Sequence, residues 1–163
     1  MAKAKVNLDL PKIRAALTAA NNEAMNVSFL ALSRLVRGKL SQRGTGRIYR
    51  VSRGARGGRN LRARGFHQAS AAGFPPAVNT NRLRASFISD QLGSWKYGYA
   101  YIRSGEKKAI LNYGSRVTYA PMLEFGTRNM RPRPYLRPTV QVFSKQANRI
   151  FAVAYARHMG KKP

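Results

Sequence analysis

The stretch Lys96-Tyr97-Gly98-Tyr99-Ala100-Tyr101-Ile102-Arg103 decides the fold class. Its alternation predicts a β-strand with Tyr97, Tyr99 and Tyr101 on one face. Ser104-Gly105-Glu106-Lys107 reads as the turn of a hairpin, and Lys108-Ala109-Ile110-Leu111-Asn112-Tyr113 as its return strand. Upstream, Arg84-Ala85-Ser86-Phe87-Ile88-Ser89 predicts a first strand. Helical patterns stand on both sides of these strands and do not alternate with them. That order predicts an α+β domain with a small antiparallel sheet.

Working outward, the N-terminal side predicts a long helix. Asp9 suits the cap and Pro11 the first turn, where a missing N–H costs nothing. Ile13, Leu17, Ala20, Ala24, Val27, Ala31 and Leu35 then recur at helical spacing. A second stripe of Phe29, Leu32, Val36 and Leu40 predicts burial on two sides in the C-terminal half. Gly38 is expected near the fraying end. On the C-terminal side, Tyr119 to Phe125 predicts a short helix stopped by Gly126. The run Arg131-Pro132-Arg133-Pro134 must be extended, because a residue before Pro avoids the helical region. Pro138 opens a last helix with the stripe Val140, Phe143, Ala147, Ile150, Phe151, Ala154 and His158. Gly160 ends it, and Lys161-Lys162 suit its C-terminal dipole.

Residues 41–82 break the periodicity with Gly44, Gly46, Gly54, Gly57, Gly58, Gly65 and Gly73, then Pro75-Pro76. Arg43, Arg47, Arg50, Arg53, Arg56, Arg59, Arg62 and Arg64 recur through it. The expectation is a long basic loop ordered by partners, with a short strand piece near Ile48-Tyr49-Arg50-Val51. Arg offers planar, multi-donor recognition of phosphate. The bland alternative is a solvated surface loop. The lack of any acidic residue between Glu23 and Asp90 favours contact with DNA or an acidic partner.

The whole chain of 163 residues carries 31 Lys+Arg against 5 Asp+Glu, a net charge of +26. Such a charge repels itself in the compact state and calls for nucleic acid, anionic lipid or an acidic protein surface. With 44% hydrophobic residues the chain can build a core, as one domain over residues 1–163. No Cys is present, which excludes disulfides and thiolate metal sites. Neither a signal peptide nor a membrane span is expected.

Chemistry has few candidates. Asp9, Glu23, Asp90, Glu106 and Glu124 are widely spaced, and His67 and His158 have no acid partner nearby in sequence. The expectation is no enzyme, no metal and no cofactor. No Walker or GxGxxG pattern occurs. Asn26-Val27-Ser28 fits a glycosylation sequon but falls inside a predicted helix, where chance explains it. The tyrosine row has two readings: stacking of nucleobases, or a core face or subunit interface. No RNP-type motif surrounds it, which favours the second. Glu124 lies near Arg128, Arg131, Arg133 and Arg137, so an arginine-paired, hydrogen-bonded carboxylate is expected, against an exposed pair of little worth.

Tyr119-Ala120-Pro121-Met122-Leu123-Glu124-Phe125-Gly126-Thr127, followed by Arg133-Pro134-Tyr135-Leu136-Arg137-Pro138, resembles the signature of tail-completion proteins. These are minor structural proteins at the head–tail joint, or neck, of long-tailed bacteriophages. The family pattern is Tyr-Ala-x-x-x-Glu-Phe-Gly-Thr, then Arg-Pro-Phe-Leu-Arg-Pro-Ala. Tyr135 and Thr139 replace its Phe and Ala. Upstream, residues 67–77, with Pro75 and Pro76, resemble the family's Ala-Ser-x-x-Gly-x-Pro-Pro-Ala. Residues 79–86, with Leu83 and Ser86, resemble Asp-Thr-Gly-x-Leu-x-x-Ser. Asn79 and Asn81 stand there for Asp and Gly, and Asn tolerates both turn roles.

The resemblance implies a virion structural protein without catalysis, assembled in the bacterial host cytoplasm. It implies a homo-oligomeric ring, hexameric, around the DNA channel. Its partners would be the head connector or adaptor and the tail terminator or tail tube proteins, with non-specific contact to genomic DNA. The Phe125-Gly126-Thr127 turn and the Arg/Pro segment would fix the C-terminal helix against the sheet. The alternative is a small basic nucleic-acid-binding protein.

Overall fold

The computed structural model describes residues 9–52, 64–77, 81–87, 92–105 and 107–160. The fold is α+β. A long helix α1 (Leu10–Leu40) is followed by a ribbon of β1 (Ile48–Ser52) and β2 (Arg64–Gln68). A short helix α2 (Arg82–Ala85) leads to strands β3 (Gly93–Trp95), β4 (Gly98–Ser104) and β5 (Ala109–Ser115). Helices α3 (Ala120–Phe125) and α4 (Leu136–His158) complete the chain. Both sheets are antiparallel, ordered β1-β2 and β3-β4-β5.

Helix α1 begins as its sequence dictates. The Asp9 carboxylate accepts the Lys12 N–H at 3.2 Å, and Pro11 occupies the first turn. The helix packs against α4 and also against β4 and β5. Contact on two sides explains the wide buried face of Ser28, Phe29, Leu32, Ser33, Val36 and Leu40. The first apolar stripe does not hold throughout: Val27 is exposed, because the buried rows run through Ala20, Ala24 and Ser28.

The core joins Leu32, Val36 and Leu40 of α1 to Leu83, Phe87, Val117, Ala120 and Tyr135. Edge-to-face aromatic contacts link Phe29 to Tyr113 at 5.4 Å, Tyr113 to Phe87 at 5.2 Å and Phe87 to Tyr135 at 5.9 Å. Each adds about 0.5–1.5 kcal/mol beyond area burial. The Phe87 carbonyl accepts from the Ser33 hydroxyl at 3.0 Å and the Tyr113 hydroxyl at 3.2 Å, so these three polar groups within the cluster are partnered.

Several expected elements differ. The strand expected at residues 84–89 is instead the turn of α2. Leu83 and Phe87, four apart, both enter the core on one helical face, and the Ser86 N–H returns to the Arg82 carbonyl. Ile88 and Ser89 lie outside the described residues. Strand β4 starts at Gly98, so Lys96 and Tyr97 form the turn after β3. A Cβ at position 98 would lie 2.0 Å from the Ser86 carbonyl oxygen, which restricts that site to Gly. Residues 41–82 contain the expected strand at Ile48 and a second, β2, that its Gly-rich sequence concealed. Helix α4 starts two residues before Pro138. It buries Thr139 and Ala154 while Val140 is exposed. Its main packing partner is α1 rather than the sheet against which the resemblance placed it. Gly160, with φ +73°, follows its end as expected.

Candidate functional site

The segments that carry the family resemblance meet at one joint between α3 and α4. Helix α4 has no side-chain cap of its own at Tyr135. The Glu124 carboxylate, projecting from α3, supplies one. Its Oε2 accepts the N–H groups of Tyr135 at 2.9 Å and Leu136 at 3.0 Å, and its Oε1 accepts that of Arg137 at 2.7 Å. The next residue, Pro138, has no N–H to satisfy. Every orphan donor in the first turn of α4 is thereby partnered or absent. The negative carboxylate also meets the positive end of the helix. The partner expected for Glu124 was arginine. The partners found are backbone amides, because Glu124 is buried beneath the helix start, where three converging N–H groups replace its water.

The surroundings of Glu124 keep it aimed. Gly126, at φ +80°, ends α3 and donates its N–H to the Met122 carbonyl. A Cβ there would lie 2.7 Å from the Met130 carbonyl oxygen. Thr127 bridges to Met130, and the Arg133 N–H bonds the Leu123 carbonyl at 2.7 Å. Pro134 is half-buried, and Tyr135 is buried in the core. Burial raises the Tyr135 phenol well above its ordinary value, and the Glu124 and Tyr119 charges add to the rise. Phe125 is exposed, with the Arg137 guanidinium 5.4 Å over its ring.

The upstream motifs close on the same joint. The Gly73 N–H bonds the Pro132 carbonyl at 3.0 Å. Ser70 and Pro76 line a cavity of about 440 Å³ together with Leu83, Tyr119, Leu123 and Arg133, and His67 borders it. Pro76 is buried and Pro75 half-buried beside it. The Ser86 hydroxyl, fully buried, donates to the Leu83 carbonyl at 2.6 Å. Asn81 takes φ +59°, and it is the non-Gly residue with positive φ among the described residues. That is the position where the family pattern has Gly.

The basic loop is less gathered. Arg43 and Arg47 are exposed, and Arg47 lies 5.7 Å over the Tyr49 ring. Arg50 and Arg64 belong to β1 and β2, paired with Phe66 and Ser52. Arg53, Arg56, Arg59 and Arg62 lie outside the described residues. Below the strands the two arms of the ribbon stay tied to each other. The Gly46 N–H bonds the Ala69 carbonyl at 2.8 Å, and the Ala71 N–H bonds the Thr45 hydroxyl at 3.1 Å. Ile48, Tyr49 and Phe66 on it are exposed.

Sequence reasoning missed two ties between α1 and α4. Buried Asn21 donates to the Gly105 carbonyl at 2.8 Å and accepts from the Tyr155 hydroxyl at 2.6 Å. An Asn within an apolar stripe was the available signal. Glu23 pairs with Arg157 and lies 2.8 Å from His158 Nε2. Among the described residues, no group of three or more His, Asp or Glu is placed to hold a metal ion. No described helix is long and apolar enough to cross a membrane. The chain matches no family model, no curated protein and no solved structure.

Proposed function

We propose that the chain is a virion structural protein of the head–tail joint of a tailed bacteriophage, acting in tail completion. Its subunits form a ring, hexameric, around the DNA channel and join the head connector to the tail tube or terminator. The work is assembly rather than catalysis. The observation that supports this most is the convergence of three sequence motifs, at residues 67–77, 79–86 and 119–138, around one capped joint. Glu124, Gly126 and Pro138 have interlocking physical duties there, and Asn81 adopts the glycine-like geometry that suits the pattern. Motifs that interlock in this way are unlike chance matches.

Identical head-to-tail contacts close into a ring when their rotation permits. The exposed apolar residues of the ribbon and of α3, including Phe66 and Phe125, offer contact area to neighbouring proteins. The net charge of +26 suits a subunit beside DNA or acidic neighbours. A second reading, a small basic nucleic-acid-binding protein, draws on that same charge. The two separate by deletion of the gene from a producing strain. The neck reading expects DNA-filled heads and separate tails, with joining restored by adding the purified protein. Intact tailed particles without the protein refute it.

A further inference from the structure

The three-stranded sheet has an inner face on α1 and an outer face on solvent. Register assigns each residue. Ala100 opposes Tyr113 and Ile102 opposes Leu111, with Leu111 and Tyr113 packed on the core. On the other face Tyr99 opposes Gly114, Tyr101 opposes Asn112 and Arg103 opposes Ile110. The tyrosines are therefore not a core face, and Tyr97 has left their row for the turn before β4.

Gly114 explains how Tyr99 sits. A Cβ at position 114 would lie 2.7 Å from the Tyr99 hydroxyl oxygen and 2.8 Å from the ring carbon that bears it. The ring lies across the neighbouring strand, which only a residue without a side chain permits. The Tyr101 ring is 6.1 Å away, inclined by 24° to it, and Tyr101 is 45% exposed. Two nearly parallel aromatic rings thus share an open sheet surface. Arg103 is exposed on the same face, and exposed Arg116 follows β5 with its N–H on the Tyr97 carbonyl. Among the described residues, no carboxylate stands on this face.

We propose that this face binds single-stranded nucleic acid, with bases on Tyr99 and Tyr101 and phosphates at Arg103 and Arg116. Aromatic rings provide a stacking surface for any base, and cations beside them follow the backbone. Charge decides among occupants. A second copy of this face would bring like charges together, whereas a polyanion neutralises them. The inference is independent of the assembly reading, since the deletion phenotype does not depend on it.

The test uses the full chain and a fluorescently labelled oligothymidylate, with a duplex of equal length beside it, across a salt series. Tyr101→Ala is expected to weaken oligothymidylate binding about tenfold, leave its salt slope unchanged, and affect the duplex less. Arg103→Ala is expected to reduce the single-strand slope by about 0.7. Tyr101→Phe should retain affinity, and a thermal melt of each variant establishes that it is folded. Unchanged oligothymidylate affinity in folded Tyr101→Ala overturns the proposal, as does an equal loss on duplex. Loss of binding to polyglutamate alone overturns it in favour of an acidic protein.

Discussion

Glu124 shows how one side chain can hold two elements in register. Its three charge-assisted bonds replace both the missing cap of α4 and the water the carboxylate loses on burial. Glu124→Ala is expected to destabilise the fold by about 2–4 kcal/mol, since it leaves several donors unpaired. Chemical denaturation measures it, and a loss below about 1 kcal/mol would show that water caps α4 equally well. Tyr135 makes a pH prediction. Its phenol titrates higher in the folded chain than in the unfolded one, because burial and the Glu124 charge oppose the phenolate. The neutral form therefore favours folding. This contribution is complete below the unfolded value of about 10 and is lost as pH rises above it. Tyr135→Phe should show a shallower fall in stability above about pH 10 than the parent chain. Asn81 is the third case: Asn81→Gly should be neutral or stabilising, while Asn81→Val should cost about 1–3 kcal/mol, because a β-branched side chain resists φ +59°.

At the scale of elements, packing decided what local pattern left ambiguous. The start of α1 and the end of α4 were legible because caps and Gly act locally: Asp9, Pro11 and Gly160 do what their types dictate. The order of helices and the β4–β5 hairpin were legible from periodicity. Residues 84–89 were not, since Phe87 and Ile88 suit a strand until Leu83 and Phe87 are known to enter one core. Strand β2 was hidden for the reverse reason. Arg64-Gly65-Phe66-His67-Gln68 has weak strand character, and its order comes from pairing with β1, which bonds from Gly46 to Ala69 and from Ala71 to Thr45 continue. The role of Glu124 needed three-dimensional knowledge, as its partners are amides eleven to thirteen residues on. The α1–α4 contact carries its own test. Tyr155→Phe leaves the buried Asn21 oxygen without its donor and should cost about 1–3 kcal/mol, whereas Arg157→Ala, at an exposed pair, should cost under about 1 kcal/mol. Equal losses would place the tie at Glu23 instead.

For the whole molecule, the net charge of +26 is a standing cost to compactness and an aid to association with anions. Among the described carboxylates, Glu23 offsets it locally by facing Arg157 and His158, whereas Glu124 faces backbone amides. Thermal stability of the isolated chain should rise between low and moderate salt as screening shortens the reach of repulsion, and a flat response would mean that the charges are already far apart. On the proposed neck reading, DNA or acidic neighbours would take over that screening. Electron cryomicroscopy of the tailed particle, reconstructed with the symmetry of the joint imposed and then released, tests the central claim most directly. The neck reading predicts a closed ring of this fold between head connector and tail, with the Glu124–α4 joint recognisable in each subunit. A joint built without this chain, in particles that contain or require none of it, would contradict that reading.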